Sequence, residues 1–299
     1  MTPPTHSPLR HIFLAGCAFL SVAPTALRAD IAVKNGDKIA FLGDSITAGG
    51  WNNPAGYVRL VLAGLAANGV QAEAVPAGVS GNKSNQMLAR LEASVLSKKP
   101  QWMTLSCGVN DVWHGAKGVP LDDAQAASGS YETKPNEPER GTYAKNIGTL
   151  IQQARTAGVK PVILTATVIK EDLGGPENQK LAPYNDFLRK LARDQDIPLA
   201  DLNTLFQEKI KAANSPGKNV LTSDGVHMNV EGNQLMAVGV LQAFGLNGAE
   251  LQKARDAWPE LVRLAEEAAK AKAAADAKAK AEKAAKSAVG SPQPAPPAK

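Results

Sequence analysis

The sequence predicts an α/β fold, a parallel sheet covered by helices on both faces. Three observations carry that expectation. Five short apolar runs recur along the chain, at 39–42, 71–77, 102–107, 161–166 and 199–202. Segments between and after them carry apolar residues at helical spacing. Apart from Gln71 and Glu73 in the second run and Asp201 in the fifth, the runs are continuous instead of alternating, as strands buried on both faces require. With 299 residues and 44% hydrophobic content, the chain can bury one sizeable core with appendages.

In order, Ile39-Ala40-Phe41-Leu42 reads as the first strand and stops at Gly43. A helix from Tyr57 to Asn68 leads to the second strand, Gln71 to Ala77. Asn85 to Leu96 is a predicted helix with Met87, Leu88, Leu91 and Val95 on one face. Trp102 to Cys107 is the third strand, Tyr143 to Ala157 a helix, and Pro161 to Ala166 the fourth strand. A helix from Leu181 to Asp194 precedes the fifth strand, Leu199 to Leu202. Val230 to Phe244 is the last helix of the body, and no internal repeat is visible.

The ends differ from this body. Arg10 and His11 precede the apolar run Ile12 to Val22, and small residues follow up to Ala29. Residues 1–29 therefore read as an export signal, whose apolar run is too short to span a bilayer comfortably. Leu14-Ala15-Gly16-Cys17 resembles a bacterial lipobox and gives the alternative, a lipoprotein anchored through Cys17. Ordinary export is preferred because few apolar residues precede Cys17 and the run continues beyond it. Residues 30–257 form the predicted domain and 258–299 an Ala/Lys/Pro-rich tail, helical at first. Within it, the seven lysines of residues 270–299 against Asp276 and Glu282 account for the whole net charge of +5. The body is thus near neutral, which removes the main support for nucleic-acid binding. The tail offers at most a weak contact with an anionic cell surface. Residues 115–140 lack any period and leave from the end of the third strand. They read either as a wall or lid on the substrate side or as a surface insertion without fixed structure. Cys17 and Cys107 cannot form a disulfide framework.

Four short blocks carry the chemistry. Gly43-Asp44-Ser45 follows the first strand, at the edge of a parallel sheet where ligands bind. A serine there is a candidate nucleophile if a base takes its proton. Ala77-Gly78-Val79-Ser80-Gly81-Asn82 follows the second strand, and a glycine lets a backbone N–H come close to a developing oxyanion. Gly108-Val109-Asn110-Asp111 follows the third, where the Asn110 amide offers a second donor. In Asp224-Gly225-Val226-His227, His227 is the candidate base and Asp224 the carboxylate that holds its tautomer. Asp44 and Asp111 read as braces of their loops. Trp51 and Trp113 follow the first and third blocks and suit a sugar ring, an acyl chain or plain loop packing.

Taken together and in this order, the blocks resemble the SGNH/GDSL hydrolase superfamily over roughly residues 38–244. The resemblance implies a flavodoxin-like three-layer α/β/α sandwich with a five-stranded parallel sheet of order 2-1-3-4-5. It implies Ser45 as nucleophile, with Asp224 and His227. It also implies an oxyanion hole of Ser45 N–H, Gly78 N–H and the Asn110 side chain. Pro76-Ala77-Gly78 departs from the family, which often has asparagine two residues before the glycine. No cofactor or metal is expected: His6 and His11 lie in the leader, and His114 and His227 fall in different loops. The implied activity is exported serine esterase chemistry on carboxylic, above all acetyl, esters of a polysaccharide or glycan. A lysophospholipase or thioesterase, or a non-catalytic exported binding module, is the alternative.

Overall fold

The computed structural model describes residues 31–132, 139–215 and 217–289, with side chains through 282. The predicted export signal, with Cys17, His6 and His11, lies outside the described residues.

Five strands form one parallel sheet: β1 (Lys38–Gly43), β2 (Glu73–Gly78), β3 (Trp102–Ser106), β4 (Lys160–Leu164) and β5 (Leu199–Ala200). Their spatial order is β2-β1-β3-β4-β5. The central strands are apolar on both faces because helices cover both: every residue of β3 is buried, as is all of β1 after Lys38. The edges are different. β2 carries an exposed proline, Pro76, which an edge strand tolerates, and β5 is two residues long.

The helices are α1 (Ser45–Asn52), α2 (Tyr57–Ala67), α3 (Ser84–Ala89), α4 (Leu91–Ser94), α5 (Val109–Trp113), α6 (Asp123–Ala126) and α7 (Tyr143–Thr156). They continue with α8 (Pro176–Asp194), α9 (Leu202–Ala213), α10 (Val230–Ala243), α11 (Gly248–Asp256) and α12 (Pro259–Val289). One helical layer joins α2, α9, α10 and α11; the other contains α3, α7 and α8, the last two against β4. In α7, Tyr143, Ile147, Leu150, Ile151 and Ala154 make one buried stripe, and Thr142 caps its N-terminus.

Four differences from the sequence reading have physical reasons. The helix expected from Asn85 to Leu96 is broken at Arg90, whose φ of −107° and ψ of 5° end α3. Met87, Leu91 and Val95 are still buried at helical spacing, so the pattern is right while the backbone bends. The helix expected from Leu181 begins at Pro176, where proline suits the first turn; the polar residues before Leu181 carry no apolar stripe. The fifth strand stops at Ala200 because Asp201 accepts a hydrogen bond from Thr204 N and caps α9, a helix the sequence reading lacked. Last, the boundary placed between 257 and 258 cuts a packed junction. Trp258 is 2% exposed, and its indole Nε1 donates to Leu60 O at 3.0 Å.

The described part of 115–140 is tied down. Val119 is buried, its N–H donates to Asp111 O at 3.0 Å, and Tyr184 Oη donates to Val119 O at 2.7 Å. Residues 133–138 lie outside the described residues.

Candidate active site

The parallel register brings Gly43 opposite Gly78 and Leu42 opposite Leu105, so the first three strands end at one rim. Each of the first three sequence blocks therefore opens onto the same place.

At the end of β1, Asp44 caps α1: its Oδ1 accepts from Ile46 N at 2.9 Å. Ser45 is consequently the first residue of that helix, where backbone N–H groups have no partner within the helix. At the end of β2, Gly78 is pressed against the same turn. A Cβ there would lie 2.3 Å from Ala48 N and 2.7 Å from Thr47 C, so only glycine lets the two backbones meet.

Asn110, in the short helix after β3, is buried and turned towards Asp44. Its Nδ2 donates to Asp44 Oδ2 and Asn82 O, each at 3.2 Å, while its Oδ1 faces His114 Nε2 at 3.1 Å. Flipping the amide would set oxygen against two acceptors, so these neighbours fix which end is the donor. Beneath it, Asp111 Oδ1 accepts from Ser84 N at 2.9 Å. Burial pushes the Asp111 carboxyl up. It pushes Asp44 up to about 6, against the lowering effect of the Ile46 hydrogen bond.

The fourth block closes the site from another direction. Its loop is pinched by an antiparallel bridge between Thr222 and Met228 and by Ser223 N donating to His227 O at 2.8 Å. Asp224 Oδ1 accepts from Val226 N at 3.0 Å and His227 N at 2.8 Å. Its Oδ2 lies 2.7 Å from His227 Nδ1, and His227 Nε2 lies 2.9 Å from Ser45 Oγ. Desolvation raises the Asp224 carboxyl, but the hydrogen bonds from the His227 ring and the loop amides outweigh it and bring it to about 2. An ionised Asp224 thus faces one ring nitrogen of His227, and the other faces Ser45 Oγ.

Serine, histidine and aspartate named from the sequence are brought into one hydrogen-bonded chain, Gly78 meets the turn that follows this serine, and Asn110 contacts the Asp44 that precedes it. Two other residues, Arg90 and Glu171, escaped the sequence reading, while His114 reads from the sequence either as touching substrate or, preferred, as a solvent-exposed loop histidine. Arg90 donates from one nitrogen to both Gly43 O and Ala77 O at 2.9 Å, and from Nε to Asn82 Oδ1 at 2.6 Å. It ties the ends of β1 and β2 to the loop beyond Gly78, and its signal was hidden inside a helical pattern. His114 contacts the Asn110 amide. Glu171 holds the stretch that enters the Asp224–His227 loop. Trp51 is occupied: the Arg59 guanidinium lies 3.5 Å above its ring. Trp113 is 41% exposed, three residues after Asn110 and so on the same helical face. Among the described residues, no group of three or more His, Cys, Asp or Glu side chains is placed to hold a metal.

Comparison with known proteins gives consistent matches. The model of the GDSL-like Lipase/Acylhydrolase family matches residues 41–235. An acetylxylan esterase of Geobacillus stearothermophilus is 27% identical over 234 residues, which cover 71% of this chain and 96% of that protein. The crystal structure of the acetyl xylan esterase AlAXEase superposes with a TM-score of 0.56 at 32% identity, covering 69% of this chain and 98% of the other. The uncharacterized lipoprotein YqeF of Bacillus subtilis (strain 168) is 24% identical over 186 residues, covering 55% of this chain and 70% of that protein.

Proposed function

This chain belongs to the GDSL-like lipase/acylhydrolase family and is an ester-bond hydrolase, and we propose that it is an exported serine esterase that deacetylates a polysaccharide or glycan. The observation that carries the catalytic part is the chain Ser45 Oγ–His227 Nε2–Asp224, at 2.9 and 2.7 Å.

In this reading His227 Nε2 takes the Ser45 proton as Oγ attacks the ester carbonyl carbon. The carbonyl π-pair moves onto oxygen. Ser45 N–H, Gly78 N–H and the Asn110 Nδ2 receive the resulting oxyanion, the amide exchanging an acceptor 3.2 Å away for it. The tetrahedral species collapses, the C–O bond to the alcohol breaks, and the alcohol leaves with the proton from His227. Water, deprotonated by the same nitrogen, attacks the acyl group on Ser45, and the carboxylic acid departs as Ser45 regains its proton. Asp224 stays ionised and stabilises the imidazolium in both halves.

The acetyl-glycan assignment rests on the two acetylxylan esterase relatives, with the exposed Trp113 as support. Among the described residues, the large apolar side chains left exposed are Val79, Trp113 and Leu264. Val79 lies in the second block and Trp113 just after the third, and in this reading the exposed Trp113 ring offers a face for a sugar. Export rests on the leader at 1–29, with anchoring through Cys17 as the variant that a lipoprotein-named relative supports. In this reading the esterase domain starts at residue 30 and includes the packed Trp258, and the Ala/Lys-rich stretch beyond it is an appendage.

The test is hydrolysis of p-nitrophenyl acetate, octanoate and longer esters, with Ser45→Ala alongside. Turnover that depends on Ser45 and is confined to acetate is expected. A preference for long chains would move the reading to the lipase or thioesterase class, and no Ser45-dependent turnover on any ester would favour a binding module.

A further inference from the structure

We propose that Glu171 is a positioning residue for this reaction: it fixes the loop bearing Asp224 and His227 against the turn that leaves β4. The inference rests on the Ser45–His227–Asp224 reading above.

Four donors converge on the one carboxylate. Glu171 Oε2 accepts from Val220 N at 2.6 Å. Its Oε1 accepts from Leu221 N at 2.9 Å, Thr222 N at 2.7 Å and Thr222 Oγ1 at 2.6 Å. The Thr222 hydroxyl, its proton directed at Glu171, accepts in turn from Gly225 N at 3.1 Å. Gly225 stands between Asp224 and Val226, so two hydrogen bonds lead from Glu171 into the turn that sets the Asp224–His227 pair. The contact is also close in the backbone. Gly225 has a φ of +93°, and a Cβ on it would lie 3.1 Å from Lys170 Cα.

The platform on which Glu171 stands is itself fixed. Asn178, in the first turn of α8, accepts from Ile169 N at 2.9 Å and donates to Ile169 O and Asp172 O, each at 2.7 Å. Lys170 has a φ of +54°, a conformation that a lysine adopts only where its surroundings impose it. Buried Leu221 and Val226 anchor the loop by apolar contact, which is non-directional. Hydrogen bonds are what select one angle, and Glu171 supplies the acceptors for four. Only a carboxylate does so, because a glutamine would turn an N–H2 towards one of the donors.

The experiment compares the full chain with Glu171→Ala, Glu171→Gln and Ser45→Ala. It uses p-nitrophenyl acetate kinetics and covalent labelling of the serine by a fluorophosphonate, followed by intact mass. Glu171→Ala is expected to lower kcat roughly 10- to 100-fold with KM within about twofold, the scale of a misplaced catalytic group. Labelling should still reach every chain but slow by the same factor, and Glu171→Gln should fall between the parent and Glu171→Ala. A Glu171→Ala enzyme with the parent's kcat overturns the inference. So does a smaller labelled fraction with unchanged turnover per labelled chain, in Glu171→Ala or in Glu171→Gln, since Glu171 would then serve folding alone. Undiminished hydrolysis by Ser45→Ala is a separate result, which overturns the esterase mechanism and this inference with it.

Discussion

The two sides of the proposed active site are held by different physics. Ser45, Asp44 and Asn110 stand at the ends of strands buried on both faces, Gly78 ends the edge strand beside them, and a network of buried polar groups supports them. Asp224 and His227 sit on a loop, with side chains 53% and 41% exposed, and depend on directional hydrogen bonds. The first side is expensive to disturb because its groups have lost water and must keep their partners. The second is cheap to disturb structurally and costly chemically, since a small rotation takes His227 away from Ser45.

That contrast can be broken by experiment, most sharply on the exposed side. Asp224→Asn should lower kcat on the order of 10⁴-fold while leaving the thermal melt nearly in place. A large fall in melting temperature would mean that the loop is part of the stabilising core after all. Asp224 is held at about 2, below its usual value, so the stability it contributes is present above the unfolded value and fades only as pH drops through about 2. On the buried side, Asn110→Ala should cost ~10²–10³ in kcat and in addition ~1–3 kcal/mol of stability, because Asp44 Oδ2 loses a buried donor. Loss of activity without loss of stability would place Asn110 on the cheap side of the comparison.

Asp44 tests the same idea through pH. Its folded value, about 6, lies above the ordinary 3.8, so the folded state holds the proton more tightly. By linkage, its contribution to stability is greatest below the unfolded value and is lost as pH rises through about 6. Urea unfolding at pH 4 and pH 7.5 should therefore show wild type losing up to ~3 kcal/mol relative to Asp44→Asn as pH rises. A constant difference would show that Asp44 titrates as in water. The smallest effect is expected at the rim. Trp113→Ala should raise KM for an acetylated xylo-oligosaccharide more than for p-nitrophenyl acetate, by roughly two- to tenfold, the worth of one aromatic stacking contact. Equal changes on both substrates would remove that contact.

Much of this was legible in the sequence, for identifiable reasons. The strands were readable because burial on both faces leaves a continuous apolar run, and the parallel order places Ser45, Gly78 and Asn110 at one rim. Asp224 and His227 were readable because they are close in sequence and chemically unusual. Arg90 was not, since its partners are backbone carbonyls 13 and 47 residues away, which leave no trace in residue identity. Glu171 escaped for the same reason, its donors lying 49 to 51 residues on. The α1 helix was hidden by Gly49 and Gly50, poor helix formers held in place by tertiary contacts, with Gly50 buried against Tyr57. A residue whose partners are main-chain atoms is invisible to any argument from side-chain pattern.

The edges of the sheet decide how copies of this protein can meet. A long, flat edge strand invites pairing with a neighbour's edge. Here Pro76 removes a donor from the exposed side of β2, and β5 offers only two residues. Strand-to-strand growth is blocked at both ends. Among the described residues, self-association is therefore expected to run through surfaces other than the sheet edges, and crowding this protein at high concentration should not feed edge-to-edge strand pairing from the native state.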